Sequence, residues 1–373
     1  MTTMKIASII GARPQFIKAA TVSRAILANG QSFINEVIIH TGQHFDDNMS
    51  AVFFKELDIP SPDYNLSIGA GTHGQNTGRM IEAVEDVLIK EKPRWALVYG
   101  DTDSTLAGAL AAAKLHIPVA HVEAGLRSYN RIMPEEINRI LTDQLSTLLF
   151  CPTPTAIKNL EREGFPHKLS SNMEQQIVNV GDVMYDAALF YAAKAEGKSR
   201  IMQDLELNSK EFVLATIHRA ENTDDPDRLV NIMEALNEIA VEIPVILPLH
   251  PRTLKKLEGL NSLRFTIRDS RITFIDPLGY LDMVMLEKNS RVIITDSGGV
   301  QKEAYFHRVP CVTVRDETEW VELVVVGANL VAGTEKKLVI EAYQKMKDKK
   351  IDVKRFYGDG DSARKIIKSI CKH

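Results

Sequence analysis

The stretch Thr295-Asp296-Ser297-Gly298-Gly299-Val300-Gln301-Lys302-Glu303 directly follows the apolar run Val292-Ile293-Ile294. It reads as a buried strand, a glycine pair and the start of a helix. Backbone N–H groups at a helix N-terminus, with no side chains over Gly298 and Gly299, form a seat for phosphate, and Ser297 can add a hydroxyl. Glu303 lies nearly two turns into the helix, where a carboxylate is better placed to accept from sugar hydroxyls than to approach phosphate. A phosphate seat beside a sugar-reading acid suggests a nucleotide-sugar site. Gly-Gly alone would favour an ordinary strand–turn–helix corner, so the weight comes from the other polar motifs.

Nearly all of those motifs fall at the C-terminal end of a predicted strand. Gly11-Ala12-Arg13-Pro14-Gln15-Phe16-Ile17-Lys18 follows the strand 5–10. Arg13 at the turn and Lys18 one helical turn later could both reach a diphosphate, although Lys18 reads equally well as a solvated helix residue. Gly100-Asp101-Thr102-Asp103-Ser104 follows the strand 95–99. Asp103 or Ser104 is expected to cap the next helix, which leaves Asp101 free for catalysis; Asp-x-Asp also resembles a metal-binding motif of glycosyl and phosphoryl transferases. His121-Val122-Glu123-Ala124-Gly125-Leu126-Arg127-Ser128 follows 117–121 and sets Glu123 at a strand end with no capping task, with Arg127 as its candidate partner.

Pro134-Glu135-Glu136-Ile137-Asn138-Arg139 opens a helix. Proline suits the first turn and acids there favour the dipole, while Glu135 and Arg139 are spaced for a plain i,i+4 pair. Taken alone the motif is structural; a third acid near Asp101 and Glu123 on one sheet edge is what raises it. In the second half, 212–217 ends in His218-Arg219-Ala220-Glu221-Asn222 and 244–248 leads to His250-Pro251-Arg252. His218 is a candidate phosphate donor or proton carrier. Neither histidine has Cys or His neighbours at zinc spacing, so no metal is expected.

These residues need a scaffold. Apolar strand-like runs at 5–10, 35–40, 95–99, 117–121, 147–151, 176–180, 212–217, 244–248, 271–275, 291–295, 310–314 and 328–331 alternate with helical patterns such as 15–28, 76–90, 104–114, 136–146, 228–240 and 335–347. The rhythm predicts an α/β protein with parallel sheets and helices on both faces. A dozen strands are too many for one comfortable doubly wound sheet, and 373 residues are too many for one ordinary core. Two Rossmann-like domains are expected, 1–182 with the carboxylates and 183–360 with the nucleotide, facing each other across a cleft. The C-terminal helix, 361–373, could pack on the first. Arg315-Asp316-Glu317-Thr318-Glu319-Trp320, after the strand 310–314, is also expected to face that cleft.

Composition narrows the class. Hydrophobic residues at 45% and charged residues at 25% are the profile of a soluble globular protein, and a net charge of −4 gives no reason to invoke nucleic acid or an anionic membrane. Grip on phosphate therefore has to come from local Arg and Lys. Cys151, Cys311 and Cys371 lack metal-ligand spacing, and Cys151 and Cys311, in apolar strand-like contexts, read as core thiols in a reducing compartment. No apolar run reaches membrane-spanning length and residues 1–10 lead directly into a strand, so a cytoplasmic location is expected. No G-x-G-x-x-G fingerprint with its distal acid is present, which argues against NAD.

The chain resembles the non-hydrolysing UDP-N-acetylglucosamine 2-epimerase family, of the GT-B fold, from about residue 4 to 331. The resemblance rests on Gly-x-Arg-Pro-x-x-Ile-Lys (11–18), Gly-Asp-Thr (100–102), His-Val-Glu-Ala-Gly-Leu-Arg (121–127), Pro-Glu-Glu-x-Asn-Arg (134–139), His-Arg-x-Glu-Asn (218–222) and Thr-Asp-Ser-Gly-Gly-x-Gln (295–301), in that order. It implies inversion at C2 without a redox cofactor or metal. A base removes the C2 proton while the C1–O bond to UDP breaks, giving a 2-acetamidoglucal, and UDP adds back after protonation from the other face. It assigns acid/base work to Asp101, Glu123 and Glu135, with Arg139 and His218 in support. UDP would be held by Arg13, Lys18, His218, Ser297, Gly298, Gly299 and Glu303, with Met283 over uracil, and the enzyme would be a homodimer.

The sequence departs from common members at informative places. Gln15 and Lys302 stand where those members often carry Glu, and Trp320-Val321 replaces a frequent Arg-Pro. Loss of two negative charges suits a more anionic sugar, and the departures resemble the subgroup acting on UDP-2,3-diacetamido-2,3-dideoxy-glucuronate, whose product enters O-antigen or capsule synthesis. Gly71-Thr72-His73-Gly74 is shared with archaeal UDP-N-acetylglucosamine epimerases. Gln43 and His44 stand where many bacterial members bind a second, activating UDP-sugar, but the following Phe45-Asp46-Asp47 differs. The competing readings are a GT-B glycosyltransferase, a hydrolysing 2-epimerase and a non-catalytic UDP-sugar sensor.

Overall fold

A computed structural model describes residues 3–28, 34–42, 60–170, 173–249, 251–259 and 270–373. The chain forms two compact units, Met1–Ala187 with Arg355–His373, and Ala188–Lys354. The division falls inside the helix Val183–Lys198.

The first unit is built on strands β1 (Met4–Ile10), β2 (Ile34–His40), β3 (Tyr64–Asn65), β4 (Trp95–Tyr99), β5 (Val119–Val122) and β6 (Leu148–Cys151). A short antiparallel pair follows, β7 (Lys168–Ser170) and β8 (Met173–Glu174), and then β9 (Gln176–Asn179). The main sheet has seven strands in the order β3-β2-β1-β4-β5-β6-β9, and every pairing in it is parallel. Runs such as Trp-Ala-Leu-Val-Tyr in β4 are buried along their whole length, as expected for strands covered on both faces. The strand order reverses between β1 and β4. Ligands of open α/β sheets bind at such a switch point, outside the strands' carboxyl ends, which is where Gly11–Arg13 and Gly100–Asp101 leave the sheet.

The chain's last segment returns to this unit. Asp182 N–H donates to Tyr357 O (2.9 Å) and Ala363 N–H donates to the Asp186 carboxylate (2.9 Å). Gly181, at φ +86°, allows the close approach: a β-carbon there would lie 2.8 Å from Tyr357 O. The helix Ser362–Ile370 buries Ile366, Ile367 and Ile370 and packs beside the helix Arg13–Ala28.

The second unit contains β10 (Val213–Thr216), β11 (Val245–Pro248), β12 (Thr273–Ile275), β13 (Val292–Thr295), β14 (Cys311–Thr313) and β15 (Asn329–Val331). Its sheet order is β12-β11-β10-β13-β14-β15, again parallel throughout, with the switch point between β10 and β13. Side chains alternate between two cores, as a strand's period of two requires. Val213, Ala215, Val292 and Ile294 join one; Phe212, Leu214 and Ile293 join the other. The predicted strands are present within a few residues of their expected ends; β3 and the β7–β8 pair were not anticipated.

Cys151 and Cys311 are buried free thiols and Cys371 is exposed. Burial pushes the Cys311 thiol up to about 12, which removes it from nucleophilic chemistry. Among the described residues no helix is long and apolar enough to cross a membrane. Ile366→Ala, on the buried face of the returning helix, is expected to cost about 2–5 kcal/mol of stability, read as a fall in the denaturation midpoint of the first unit.

Candidate active site

The carboxyl edge of the first sheet gathers acids and their cations. Asp101 lies in the loop after β4 and forms an ion pair with Arg139 on the helix Pro134–Leu145; its side chain is 30% exposed. Arg139 also donates to Glu136 (2.9 Å). Arg139 therefore links Asp101 to Glu136, and the expected Glu135–Arg139 pair does not form. Glu136 is structural: it accepts from Ser128 N–H (2.9 Å), Ser128 Oγ (3.0 Å) and Tyr129 N–H (2.9 Å), fixing the loop before its helix. The Glu135 side chain makes no hydrogen bond or ion pair among the described residues. One helical turn before Arg139, it shares that residue's face.

Glu123, just past β5, has φ +77°. A non-glycine residue held there stores roughly 1–3 kcal/mol of strain, a mark of functional sites. Its carboxylate pairs with Lys18, and both side chains are buried. Lys18 is thus neither a solvated helix residue nor set apart from the acids; it is the cation of Glu123. Gly100, at φ +65°, fits against this pair, since a β-carbon on it would lie 3.1 Å from Lys18 Nζ and 3.3 Å from Glu123 Oε2. Arg13 opens the helix that carries Lys18. Gln43, His44 and His250 lie outside the described residues.

Three local expectations are corrected. The cap of the helix Asp103–Lys114 is Thr102, which exchanges hydrogen bonds with Thr105 in a capping box. Asp103 instead accepts from Asn138 Nδ2 (3.1 Å) and pairs with His73 (2.9 Å), so both carboxylates of the Asp-x-Asp face protein donors. Arg127 pairs with Asp143 and Glu163 (2.7 Å each), not with Glu123. Gln15 is buried and fully engaged: Oε1 accepts from Gly11 and Ala12 N–H (2.8 and 2.9 Å), and Nε2 donates to Tyr99 O (2.8 Å) and Thr105 Oγ1 (2.9 Å).

In the second unit the switch point is held by Asp296, which has no exposed surface. It accepts from the N–H groups of His218 (3.1 Å) and Arg219 (3.0 Å) and from Asn222 Nδ2 (3.2 Å). Asn222 also reaches Val314 O (3.0 Å), so one carboxylate and one amide join the loops after β10, β13 and β14. His218 keeps a half-exposed ring with Nδ1 3.6 Å from Asp296. Ser297 precedes the helix Gly298–Phe306 and does not spend its hydroxyl as a cap. A β-carbon on Gly299 would meet nothing closer than 3.9 Å, whereas one on Gly298 would lie 3.3 Å from Glu319 Oε1 and 3.5 Å from Trp320 Nε1; N–H groups at such a helix start favour an anion. Glu303 is buried and accepts from Tyr280 OH (2.9 Å). Met283 lies on the same helix as Tyr280, Tyr280–Asn289. Arg315, read as cleft-facing, is 1% exposed and pairs with Glu319 (3.0 Å) and Glu221 (3.4 Å).

Residues 28–371 match the family model described as UDP-N-acetylglucosamine 2-epimerase. The chain belongs to that family. It is 56% identical to a UDP-2,3-diacetamido-2,3-dideoxy-D-glucuronate 2-epimerase of Pseudomonas aeruginosa, over 99% of this chain and 100% of the relative. Among solved structures it resembles Methanocaldococcus jannaschii UDP-GlcNAc 2-epimerase in complex with UDP-GlcNAc and UDP, with TM-score 0.90 and 45% identity, covering 99% of this chain and 100% of that one. The Neisseria meningitidis enzyme bound to UDP-GlcNAc matches with TM-score 0.86 and 31% identity over 99% of this chain and 100% of that one. The two parallel sheets are those of a GT-B-like α/β protein, and the chain is a UDP-sugar 2-epimerase, an isomerase, by family.

Two groups that hold this epimerase's candidate site, Asp143 and Tyr280, lie outside every quoted motif. Among the described residues no group of three or more His, Cys, Asp or Glu could hold a metal ion. Beneath Glu303 lies Glu287, whose carboxyl oxygens have no hydrogen-bond partner. Burial, reinforced by the Glu303 charge, pushes its carboxyl well above the usual value of 4.5. A raised folded value means stability is fully present below the unfolded value and is lost as pH rises towards the folded one. Glu287→Gln removes that linkage, so the difference in Tm between variant and wild type should grow as pH rises above about 4.5, measured by thermal melts across a pH series.

Proposed function

We propose that this chain inverts C2 of a UDP-2-acetamido sugar uronate, interconverting UDP-2,3-diacetamido-2,3-dideoxy-glucuronate and its mannuronate epimer, for surface polysaccharide synthesis. The observation that carries the reaction is the strained, buried Glu123 on Lys18, on the same sheet edge as the Asp101–Arg139 pair. The C2 proton is barely acidic, so its transfer needs carboxylates tuned differently on the two ring faces. Asp101, Glu123 and Glu135 sit in three distinct environments: one on a half-open arginine pair, one buried on lysine, one with no side-chain partner among the described residues. Base attack at C2 moves the C–H electrons into a C1=C2 double bond and expels UDP as the anion. Protonation of C2 from the opposite face and return of the diphosphate oxygen to C1 complete the inversion, with no redox change and no metal.

UDP is retained by the open N-terminus at Ser297, Gly298 and Gly299, by Arg13 and His218, and by Glu303 on the ribose, with Met283 against the base. Preorganised N–H groups and cations of this kind stabilise a departing diphosphate. Two observations favour the uronate over UDP-N-acetylglucosamine: the higher identity to the glucuronate relative, and Lys302 beside the phosphate seat. The same reading carries a cytoplasmic homodimer, which light scattering of the purified protein checks.

Incubation with each UDP-sugar in heavy water, followed by NMR, tests the reading. Deuterium should enter C2 of the uronate with no acceptor present, and UDP-linked epimer should accumulate. Free 2-epimeric sugar would mean a hydrolysing enzyme, and no exchange without an acceptor would mean a glycosyltransferase. Asp101→Asn, Glu123→Gln and Glu135→Gln should each lower kcat by roughly 10²–10⁴-fold with UDP affinity retained. Near-wild-type turnover in all three would remove the carboxylates from the chemistry. Lys18→Ala is expected to weaken UDP binding and also to lower kcat, because Glu123 loses its buried cation.

A further inference from the structure

His121, in β5, has no exposed surface. Its Nδ1 lies 2.7 Å from Asp143 Oδ1 and its Nε2 lies 2.7 Å from the carbonyl oxygen of Gly100. A carboxylate and a backbone carbonyl are both acceptors, so each ring nitrogen has to bring a hydrogen. Placing the proton on Asp143 instead is disfavoured by its other donors. Its second oxygen takes Arg127 Nη1 (2.7 Å) and Gly125 N–H (3.2 Å). Burial favours the neutral acid, yet the hydrogen bonds and charges of His121 and Arg127 outweigh it and hold the carboxyl below its ordinary value.

Arg127 donates from Nε and Nη2 to the two oxygens of Glu163 (2.7 and 2.8 Å). Glu163 is the exposed end of the network, so the buried part consists of Asp143 and Arg127 beside the His121 ring. The network also has a reach that packing alone does not require. Through Gly125 and Arg127 it ties down the loop after Glu123, and through the Gly100 carbonyl it ties down the residue before Asp101. Gly100 is held at its other end by donation from its N–H to Val122 O (2.9 Å), and it abuts Lys18 and Glu123.

We propose that His121 is a positioning residue, a buried and doubly protonated imidazolium that clamps the Gly100 carbonyl and so sets Asp101 and Glu123 at the spacing that proton transfer needs. The kinetic consequence rests on the epimerase reading; the protonation state does not.

Two measurements test it. In wild-type protein labelled with ring-¹⁵N histidine, with the resonances assigned by loss in His121→Asn, both ring nitrogens of His121 should carry hydrogen. One protonated and one bare nitrogen would overturn the proposal, and where His121→Asn does not fold, His121→Gln supplies the assignment. In kinetics, His121→Asn and Asp143→Asn should lower kcat by roughly 10²-fold, the scale of a small misplacement of reacting groups, while KM and UDP affinity stay within a few-fold. Unchanged kcat in folded variants, or parallel loss of kcat and UDP affinity, would sink the clamp. If wild-type protein exchanges the C2 hydrogen of neither sugar, the reaction assignment fails while the ¹⁵N spectrum still decides the clamp.

Discussion

Asp143 has no surface in contact with water, yet it receives donors from His121, Arg127 and Gly125 at once. Asp296 stands in the same relation to the second sheet, receiving His218 N–H, Arg219 N–H and Asn222. Both answer one physical problem. Loops that leave parallel strands at a switch point carry backbone N–H groups with no ladder partner, and burying those groups unpaired costs about 1–3 kcal/mol each. A single buried carboxylate satisfies several donors from different loops and thereby fixes the loops to one another. The arrangement is brittle: removing one partner of a buried charge cluster leaves an uncompensated charge, worth about 3–5 kcal/mol. Precision at the sheet edge and sensitivity to substitution have the same origin.

The helix Pro134–Leu145 shows how such a cluster is supplied. Its inward positions are Glu136, Arg139, Thr142 and Asp143, while Ile137 and Leu141 remain 46% and 45% exposed. Hydrophobic periodicity alone would turn this helix round. The polar residues at 136, 139 and 143 do recur on one face at helical spacing, so the signal exists in the sequence, but it reads as a solvated stripe unless the buried acceptors and donors of neighbouring loops are known. The strands were legible because their apolar runs are buried on both faces and bounded by Gly and polar residues. The acids Asp101 and Glu123 were legible because each follows such a run without a local task. Their cations were not: Lys18 is separated from Glu123, and Arg139 from Asp101, by long stretches of chain, and nearer partners such as Arg127 for Glu123 satisfy sequence proximity equally well. The same ambiguity misassigned the cap to Asp103 or Ser104, since Thr102 supplies an equivalent hydroxyl one residue earlier.

Arg315 illustrates a different failure. A charged residue just after a strand end normally faces an opening, but Glu319 one turn later and Glu221 from the loop after β10 neutralise it in the interior. Both carboxylates are available only because Asp296 and Asn222 bring the ends of β10, β13 and β14 together, so the burial of Arg315 is a consequence of the loop staple rather than of its own sequence context.

The two missing negative charges prove unequal once their surroundings are known. Gln15 uses every hydrogen-bonding group of its amide on the loop at 11–12, on Tyr99 O and on Thr105. A carboxylate there would oppose the Tyr99 carbonyl, so the amide serves loop geometry and says little about the sugar. Lys302 is different. It is 2% exposed, and its ammonium lies 4.1 Å over the Trp320 ring, close to the phosphate seat through Gly298. An indole face attracts a cation by about 2 kcal/mol when desolvated and repels an anion. Lys302 and Trp320 are therefore matched to each other, and a glutamate at 302 would be incompatible with this tryptophan. Lys302 adds a cation to a low-dielectric setting that also holds the Glu319 carboxylate, whose Oε1 would lie 3.3 Å from a β-carbon on Gly298. The proposed preference for a uronate over a neutral sugar accordingly draws on Lys302 and Trp320 as a pair, with Gln15 contributing through the shape of the loop at Gly11 rather than through charge.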